Sequence, residues 1–360
     1  MRRLILKVHL VLALIAGAFM AVLGVTGSVI AFEPELDRLL HPNVSYVTPG
    51  AKVLSLVEIG EAASRKYGGE PIVAFLPPSS PQFPAEVIMS RGIVAVNQYT
   101  GQVLGLRTRG PTVLGFVRAL HTRLVAGDIG RSILRWSAVA MLFSLASGLY
   151  LWWPIKRVRI RRPWFHARFC FDLHNSIGIL SLLPLLLLAA TGTVIGFEDQ
   201  VARLLDKFAH PSLIHASQSP ASSVSRPGSA PITPDQAVGI ACAQLPGTVP
   251  YRVQMPQYGG FYVVALAYAD HRIAGDSNSL SIDPLSGSII STHQSTDLSM
   301  RESFMATNEA IHTGSIFGVP SRIIAALAGV LLPVQFVSGF IMWLRRAMPS
   351  RPDWAGGARI

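Results

Sequence analysis

The sequence predicts a mainly α-helical membrane protein. Four transmembrane helices form two pseudo-symmetric halves, each with a small α+β module on the outer side. Three observations lead there. Half of the 360 residues are hydrophobic and 14% are charged, and the mean hydropathy is +0.42, which departs from soluble domains. Leu10–Phe32, Trp136–Ile155, Asn175–Phe197 and Ile323–Leu344 are uncharged windows of 20 to 23 residues. Each can cross a hydrocarbon core of about 30 Å at roughly 1.5 Å per residue. The chain also repeats itself. His9 leads into TGSVIAFE (Thr26–Glu33) and, 165 residues on, His174 leads into TGTVIGFE (Thr191–Glu198). LHTRLVAGDIGR (Leu120–Arg131) returns 191 residues later as IHTGSIFGVPSR (Ile311–Arg322). These run on to SGLYLWW (Ser147–Trp153) and SGFIMWL (Ser338–Leu344). Such repetition marks a duplicated membrane unit.

Residues 1–32 make the first helix. Arg2, Arg3 and Lys7 would also suit a signal peptide, but the apolar run is long for one and its sequence returns inside the chain. Residues 33–130 are the first outer module. Leu54–Tyr67 has helical spacing, and Ile72–Leu76, Glu86–Met89 and Ile93–Val96 are short runs of β-formers. Asn97–Gly101 turns into a fourth run, Gln102–Leu106. Residues 131–155 are the second helix, 156–173 a basic loop and 174–198 the third helix. Residues 199–320 are the second module, entered through a Ser/Pro/Ala-rich linker from His215 to Pro231. Thr233-Pro234-Asp235 starts a helix to Gln244. The runs Tyr251–Met255, Phe261–Ala267, Leu280–Asp283 and Ser288–Ser291 follow as strands. Residues 321–345 are the fourth helix and 346–360 a tail. Neither module offers a nucleophile with its base, a spaced acidic pair or a phosphate-type glycine loop.

Charge predicts the orientation. The N-terminal flank, the loop at 155–173 and the tail hold 13 of the 31 basic residues, but only Asp172 and Asp353 of the 20 acids. The whole net charge of +11 lies there. By the positive-inside rule both termini face the cytoplasm, and the modules face the periplasm of a bacterial inner membrane. The pI near 10.2 then reports topology. The lipid bilayer is the expected partner, not nucleic acid. Cys170 and Cys242 fall on opposite faces, so no disulfide is expected.

The histidines carry the chemistry. An ionisable side chain near a span is costly to bury and so points to function. A lone histidine at a helix end is more often an interfacial or hydrogen-bonded residue, but four recur here at matched positions. The halves run in the same direction, so equivalent residues near their axis face each other. His9 pairs with His174 on the inner side, and His121 with His312 on the outer side. His121 shares a helical face with Val117, Leu120 and Leu124. Two opposed imidazoles make a poor zinc site, which wants four ligands. They suit haem, whose porphyrin supplies the equatorial nitrogens. His166 is the rival ligand; His41, His210, His215, His271 and His293 read as surface residues. Trp152, Trp153 and Trp343 read as an interfacial belt. Gly27, Gly148, Gly192 and Gly339, each beside Thr or Ser, read as close-packing points between helices. Glu33 and Glu198 read as headgroup-level charges, with a role in ligand binding or proton transfer as the alternative, and Arg131 and Arg322 as outer-face anchors.

Taken together, the motifs resemble the PepSY-associated transmembrane family. They are the leading histidine followed by TGSVIAFEPELDRLLHP, then LHTRLVAGDIGR, SGLYLWWP with its basic loop, and IHTGSIFGVPSR ending in SGFIMWLRR. The resemblance covers nearly the whole chain and implies that the outer modules are PepSY-like domains. Members include iron-regulated inner-membrane proteins, among them haem-binding ferric-siderophore reductases of the FoxB type. It therefore implies His9, His174, His121 and His312 as ligands to the iron of two b haems. It also implies a ferric siderophore as substrate, reduced from Fe(III) to Fe(II) on the periplasmic side. Leu10, Asn175 and Thr122 stand where a basic residue is frequent in the pattern. No flavin or nicotinamide motif is present, so the electron donor is a quinol or a separate cytoplasmic reductase. Two other classes stay open: a PepSY-domain membrane-anchored regulator or binding protein without redox activity, and an iron-chelate transporter.

Overall fold

The structure is a computed structural model and describes residues 1–108, 112–159, 168–208, 231–257, 260–268, 278–295 and 298–347. The Ser/Pro/Ala-rich linker up to residue 230, His166, His210, His215, His271 and the tail beyond residue 347 lie outside these residues.

The chain opens with one continuous helix, α1 (Arg2–Ile30), followed by α2 (Glu33–Leu40) and the single turn α3 (Pro42–Ser45). Helix α4 (Leu56–Lys66) begins in a capping box: the Ser55 hydroxyl accepts from the Glu58 amide, and the Glu58 carboxylate accepts from the Ser55 amide. Strands β1 (Ile72–Leu76), β2 (Ala85–Met89), β3 (Gly92–Val96) and β4 (Val103–Thr108) follow, then α5 (Val113–Arg123) and α6 (Gly127–Trp152). The second half supplies α7 (Phe169–Leu180), α8 (Leu182–Gly196), α9 (Glu198–Phe208) and α10 (Pro234–Gln244). It continues with β5 (Thr248–Gln254), β6 (Tyr262–Tyr268), β7 (Asn278–Ile282), β8 (Ile289–His293), α11 (Met300–Thr313) and α12 (Val319–Ala347). Every strand expected from the sequence overlaps one of these.

The two sheet-forming modules join. All eight strands form one antiparallel sheet in the order β4-β3-β2-β1-β5-β6-β7-β8. The seam is β1 against β5, through Ala74↔Gln254 and Phe75↔Val253. Either half alone would leave an edge strand with unpaired backbone groups, and the seam closes both edges. Burial alternates along β2 and β7. The buried face, with Val87, Val94, Val253, Val264 and Leu280, packs against Ile59 and Ala63 of α4 and Ala237 and Ala241 of α10 in one shared core. Asp235 of α10 ties the halves further: its carboxylate accepts from the Leu56 and Val57 amides at the start of α4, at 2.7 and 3.2 Å.

Below the sheet lie the apolar helices. α1, α6 and α12 are long and apolar enough to cross a membrane, and α7 with α8 makes a fourth if that pair, bent by 65°, counts as one span. A single third helix over 174–198 is thus corrected to two segments. The cause is Pro184, which has no N–H for the Leu180 carbonyl and whose ring crowds it; α7 ends at Leu180. At the matching place in the first half stands Phe19, and α1 is unbroken. The helices bury small residues against each other, such as Ala16, Gly24, Ala328 and Gly329, while Val11, Ile15, Leu186, Leu187 and Leu327 are exposed. Lipid tails are as apolar as leucine, so close approach through small residues holds such helices together. Gly24 shows this: a side chain there would run into the Gly329 backbone carbonyl.

Candidate functional site

The four matched histidines are all half-buried and fall into two groups along the bundle. His9 of α1 and His174 of α7 line one cavity among the helices. His121 of α5 and His312 of α11 line a larger, open cavity beneath the sheet, which Glu86, Ile88, Ile93 and Arg107 also line from the sheet's second face. Met20, Met141, Leu185 and Leu332 border both cavities. They are matched pairs in the repeat, Met20 with Leu185 and Met141 with Leu332. An apolar septum therefore separates the two levels.

Each imidazole is held by the same device. His9 Nδ1 lies 3.1 Å from the Ser144 carbonyl and 3.0 Å from the Ser147 hydroxyl. His174 Nδ1 lies 3.1 Å from both the Gln335 carbonyl and the Ser338 hydroxyl. His121 Nδ1 meets the Thr26 hydroxyl at 3.0 Å, and His312 Nδ1 meets that of Thr191 at 3.0 Å. Thr26 already donates its proton to the Val22 carbonyl at 2.8 Å, and Thr191 donates to Leu187 at 2.7 Å. Each threonine can then only accept, so the imidazole nitrogen carries the proton at Nδ1. That leaves the Nε2 lone pair of each ring free, with no hydrogen-bond partner among the described residues. A proton fixed on one nitrogen by a neighbouring oxygen is the usual preparation of the other as a metal ligand. Burial, and for His121 the facing His312, lowers the affinity of these rings for a second proton: His121 is pushed down to about 4, and His312 is lowered as well.

The glycines beside these hydroxyls make the room. A Cβ at Gly27 would come within 2.8 Å of His121 Cε1, and one at Gly192 within 3.1 Å of His312 Cε1. At Gly148 and Gly339 the same atom would lie 3.3 Å from Cε1 of His9 and His174. The sequence marks these glycines as contacts between helices; they are seats for histidine rings. A Ser/Thr–Gly dipeptide opposite each histidine is the signal that finds them.

The rings of His9 and His174 lie 6.4 Å apart between centroids, at 85° to each other. A metal–imidazole bond is about 2.0–2.1 Å long, and a ring centroid lies roughly 1.1 Å behind its nitrogen, so two axial imidazoles should have centroids about 6.3 Å apart. The observed separation matches that of two imidazoles sharing one metal atom. No three His, Cys, Asp or Glu side chains among the described residues gather as a metal site, so a metal here must take its other ligands from elsewhere, as iron does in a porphyrin. The donor set therefore fits haem.

Of the other residues singled out in the sequence, Glu33, Glu198, Arg131 and Arg322 line the sheet-side cavity. Glu33 pairs with Arg118. Arg322 donates to the Ala31 carbonyl at 2.8 Å and pairs with Glu35 at 2.7 Å. His41 Nδ1 lies 3.2 Å from Asp37, which lines the sheet-side cavity, but His41 itself lines neither cavity. Trp152 lines the cavity of His9 and His174, and its indole Nε1 is buried without a partner among the described residues, so it belongs to the site more than to a belt. Cys170 and Cys242 are free.

A sequence model of the family described as PepSY-associated TM region matches residues 6–346, nearly the entire chain. No curated protein matches the chain.

Proposed function

The chain belongs to the PepSY-associated TM family, and from that membership and its paired histidines we propose a di-haem electron-transfer protein of the bacterial inner membrane. It reduces ferric siderophore on the periplasmic side. The observation that carries this reading is the His9–His174 separation of 6.4 Å. Bound between such pairs, haem b supplies one-electron transfer between ferrous and ferric iron. The chain's residues bind and orient. His9 and His174 would hold one haem toward the cytoplasm, and His121 and His312 would hold the other toward the periplasm. Ser144, Gln335, Thr26 and Thr191 hold each ring in the ligating tautomer, and Met20, Met141, Leu185 and Leu332 keep water out between the levels. The cavity beneath the sheet receives the chelate. Adding an electron to Fe(III) weakens its bonds to hard oxygen ligands, so iron leaves without destruction of the siderophore. The halves are related by an axis along the membrane normal, with both termini cytoplasmic and the sheet periplasmic. A quinol or a separate reductase supplies the electrons.

The test is a visible spectrum of the detergent-purified chain, oxidised and then reduced, with haem quantified per chain. About two haems of b type are expected for two bis-histidine sites. His121→Ala and His312→Ala should each lose the periplasmic-side haem and keep the other. Unchanged haem content in both variants overturns the ligand assignment. One observation favours transport instead: the break between α7 and α8, since transporters use discontinuous helices. Uptake of a labelled ferric chelate into liposomes without reductant would decide for it.

A further inference from the structure

Among the described residues, Arg38, Arg131 and Arg135 line the cavity beneath the sheet without an ion pair, and of these three only Arg135 has a buried nitrogen with no hydrogen-bond partner. Arg107 pairs with Asp37 and Glu86, Arg118 with Glu33, and Arg322 with Glu35. Arg135, on α6, lines the same cavity as His121 and His312. Its guanidinium lies over the Phe197 ring, with Cζ 4.9 Å from the centroid. Its Nε is buried and has no hydrogen-bond partner among the described residues. Glu198, Asp199 and Glu309 also line the cavity, and none is within ion-pair distance of Arg135. A guanidinium at the end of an apolar bundle, held away from water on one side, is costly unless an anion meets it.

The repeat shows what is missing. Arg322 also lies over a phenylalanine, Phe32, with Cζ 4.7 Å from the ring centroid. There Glu35 completes the pair at 2.7 Å, and the Arg322 hydrogen bond holds the Glu35 carboxyl below its ordinary value. Phe197 is the counterpart of Phe32, but the counterpart of Glu35 is Gln200. One aromatic seat thus carries a neutralised arginine and the other a bare one.

The geometry points to Arg135 as an anion-binding residue of the sheet-side cavity, holding a carboxylate that the chain itself does not supply. The planar guanidinium fork matches a carboxylate with two parallel hydrogen bonds, and its stacking on Phe197 fixes the plane in advance. The carboxylate has two possible sources: a propionate of haem held at His121 and His312, or an acidic group of the iron chelate entering the cavity. Only the first source rests on the haem reading.

The experiment compares the full-length chain with Arg135→Gln and Arg135→Lys in detergent. It measures haem per chain, the midpoint potential of each haem against pH, and calorimetric binding of citrate with a neutral ferric hydroxamate as control. If the carboxylate is a propionate, Arg135→Gln lowers the potential of the sheet-side haem and leaves the other unmoved. The lowered potential also varies with pH, because a propionate released from a guanidinium binds a proton more readily. If the carboxylate belongs to the chelate, Arg135→Gln weakens citrate binding about tenfold or more and leaves the hydroxamate unaffected. Arg135→Lys shows a smaller change in the same arm, keeping the charge without the fork, and carries the comparison if the glutamine variant does not fold. A chain without haem removes the haem reading, and the citrate arm alone then decides the site. Potentials and citrate affinity that both match the wild type overturn it.

Discussion

The hydroxyl of Thr26 gives its proton to the Val22 carbonyl and has only lone pairs left for His121. Thr26→Val keeps the shape and removes the acceptor, freeing the ring to rotate and change tautomer. Loss of such a supporting partner typically costs about 10–100-fold in metal affinity, so haem at His121 should be lost on dilution while haem at His9 stays. Titration of haem into the apo-protein checks this, and equal retention at both levels would refute it. Gly27→Ala should act more severely, because its Cβ would stand 2.8 Å from His121 Cε1, closer than real Cβ contacts allow. Gly148→Ala, at 3.3 Å from His9 Cε1, should be milder. Comparing haem content of the two variants gives the order. At this scale the histidines were legible from the repeat, but the purpose of the glycines was not. Spacing tells which residues share a helix face, not which ring that face meets.

Helices and strands follow local rules more closely. Strands β2 and β7 alternate, as half-buried strands do, and Ser55 and Thr233 cap α4 and α10 with capping boxes. What local rules omit is Asp235, in the first turn of its own helix yet accepting from the first amides of α4. It places negative charge where α4 has unpaired N–H groups and a positive dipole end. Asp235→Ala should cost about 1–2 kcal/mol, the usual worth of an N-terminal cap. The outer domain's denaturation midpoint measures it, and an unchanged midpoint would show the contact to be idle. The break after Leu180 belongs here too. Pro184 makes it local, but the uncharged run around it reads as one span by length alone. Pro184→Ala restores the amide that α7 lacks, and straightening should disturb the cavity wall at Ser181, Leu182 and Leu185. An altered spectrum of haem bound at His9 and His174 is the expected result; a wild-type spectrum would show that the bend does not shape that cavity.

Across the whole molecule, each half orients its own histidines, yet each cavity draws one histidine from each half. The core does likewise: Val87 and Val264 belong to the same cluster although they come from different halves of the chain. A fragment ending at residue 159 therefore holds two histidines without partners and half a core. Expressed alone it should bind no haem, and co-expression with the remainder should restore binding. A haem spectrum from the fragment alone would contradict the pairing. The membrane class, the repeated histidines and the strand positions come from the sequence by itself, because each is set by hydropathy, matched spacing or alternation over a few residues. The tertiary structure alone decided that β1 joins β5, that Ser/Thr–Gly pairs seat the imidazoles, and that Arg135 goes without the carboxylate that Arg322 has. Those depend on which distant surfaces meet, and closing an edge or filling a seat is a matter of contact, not of local pattern.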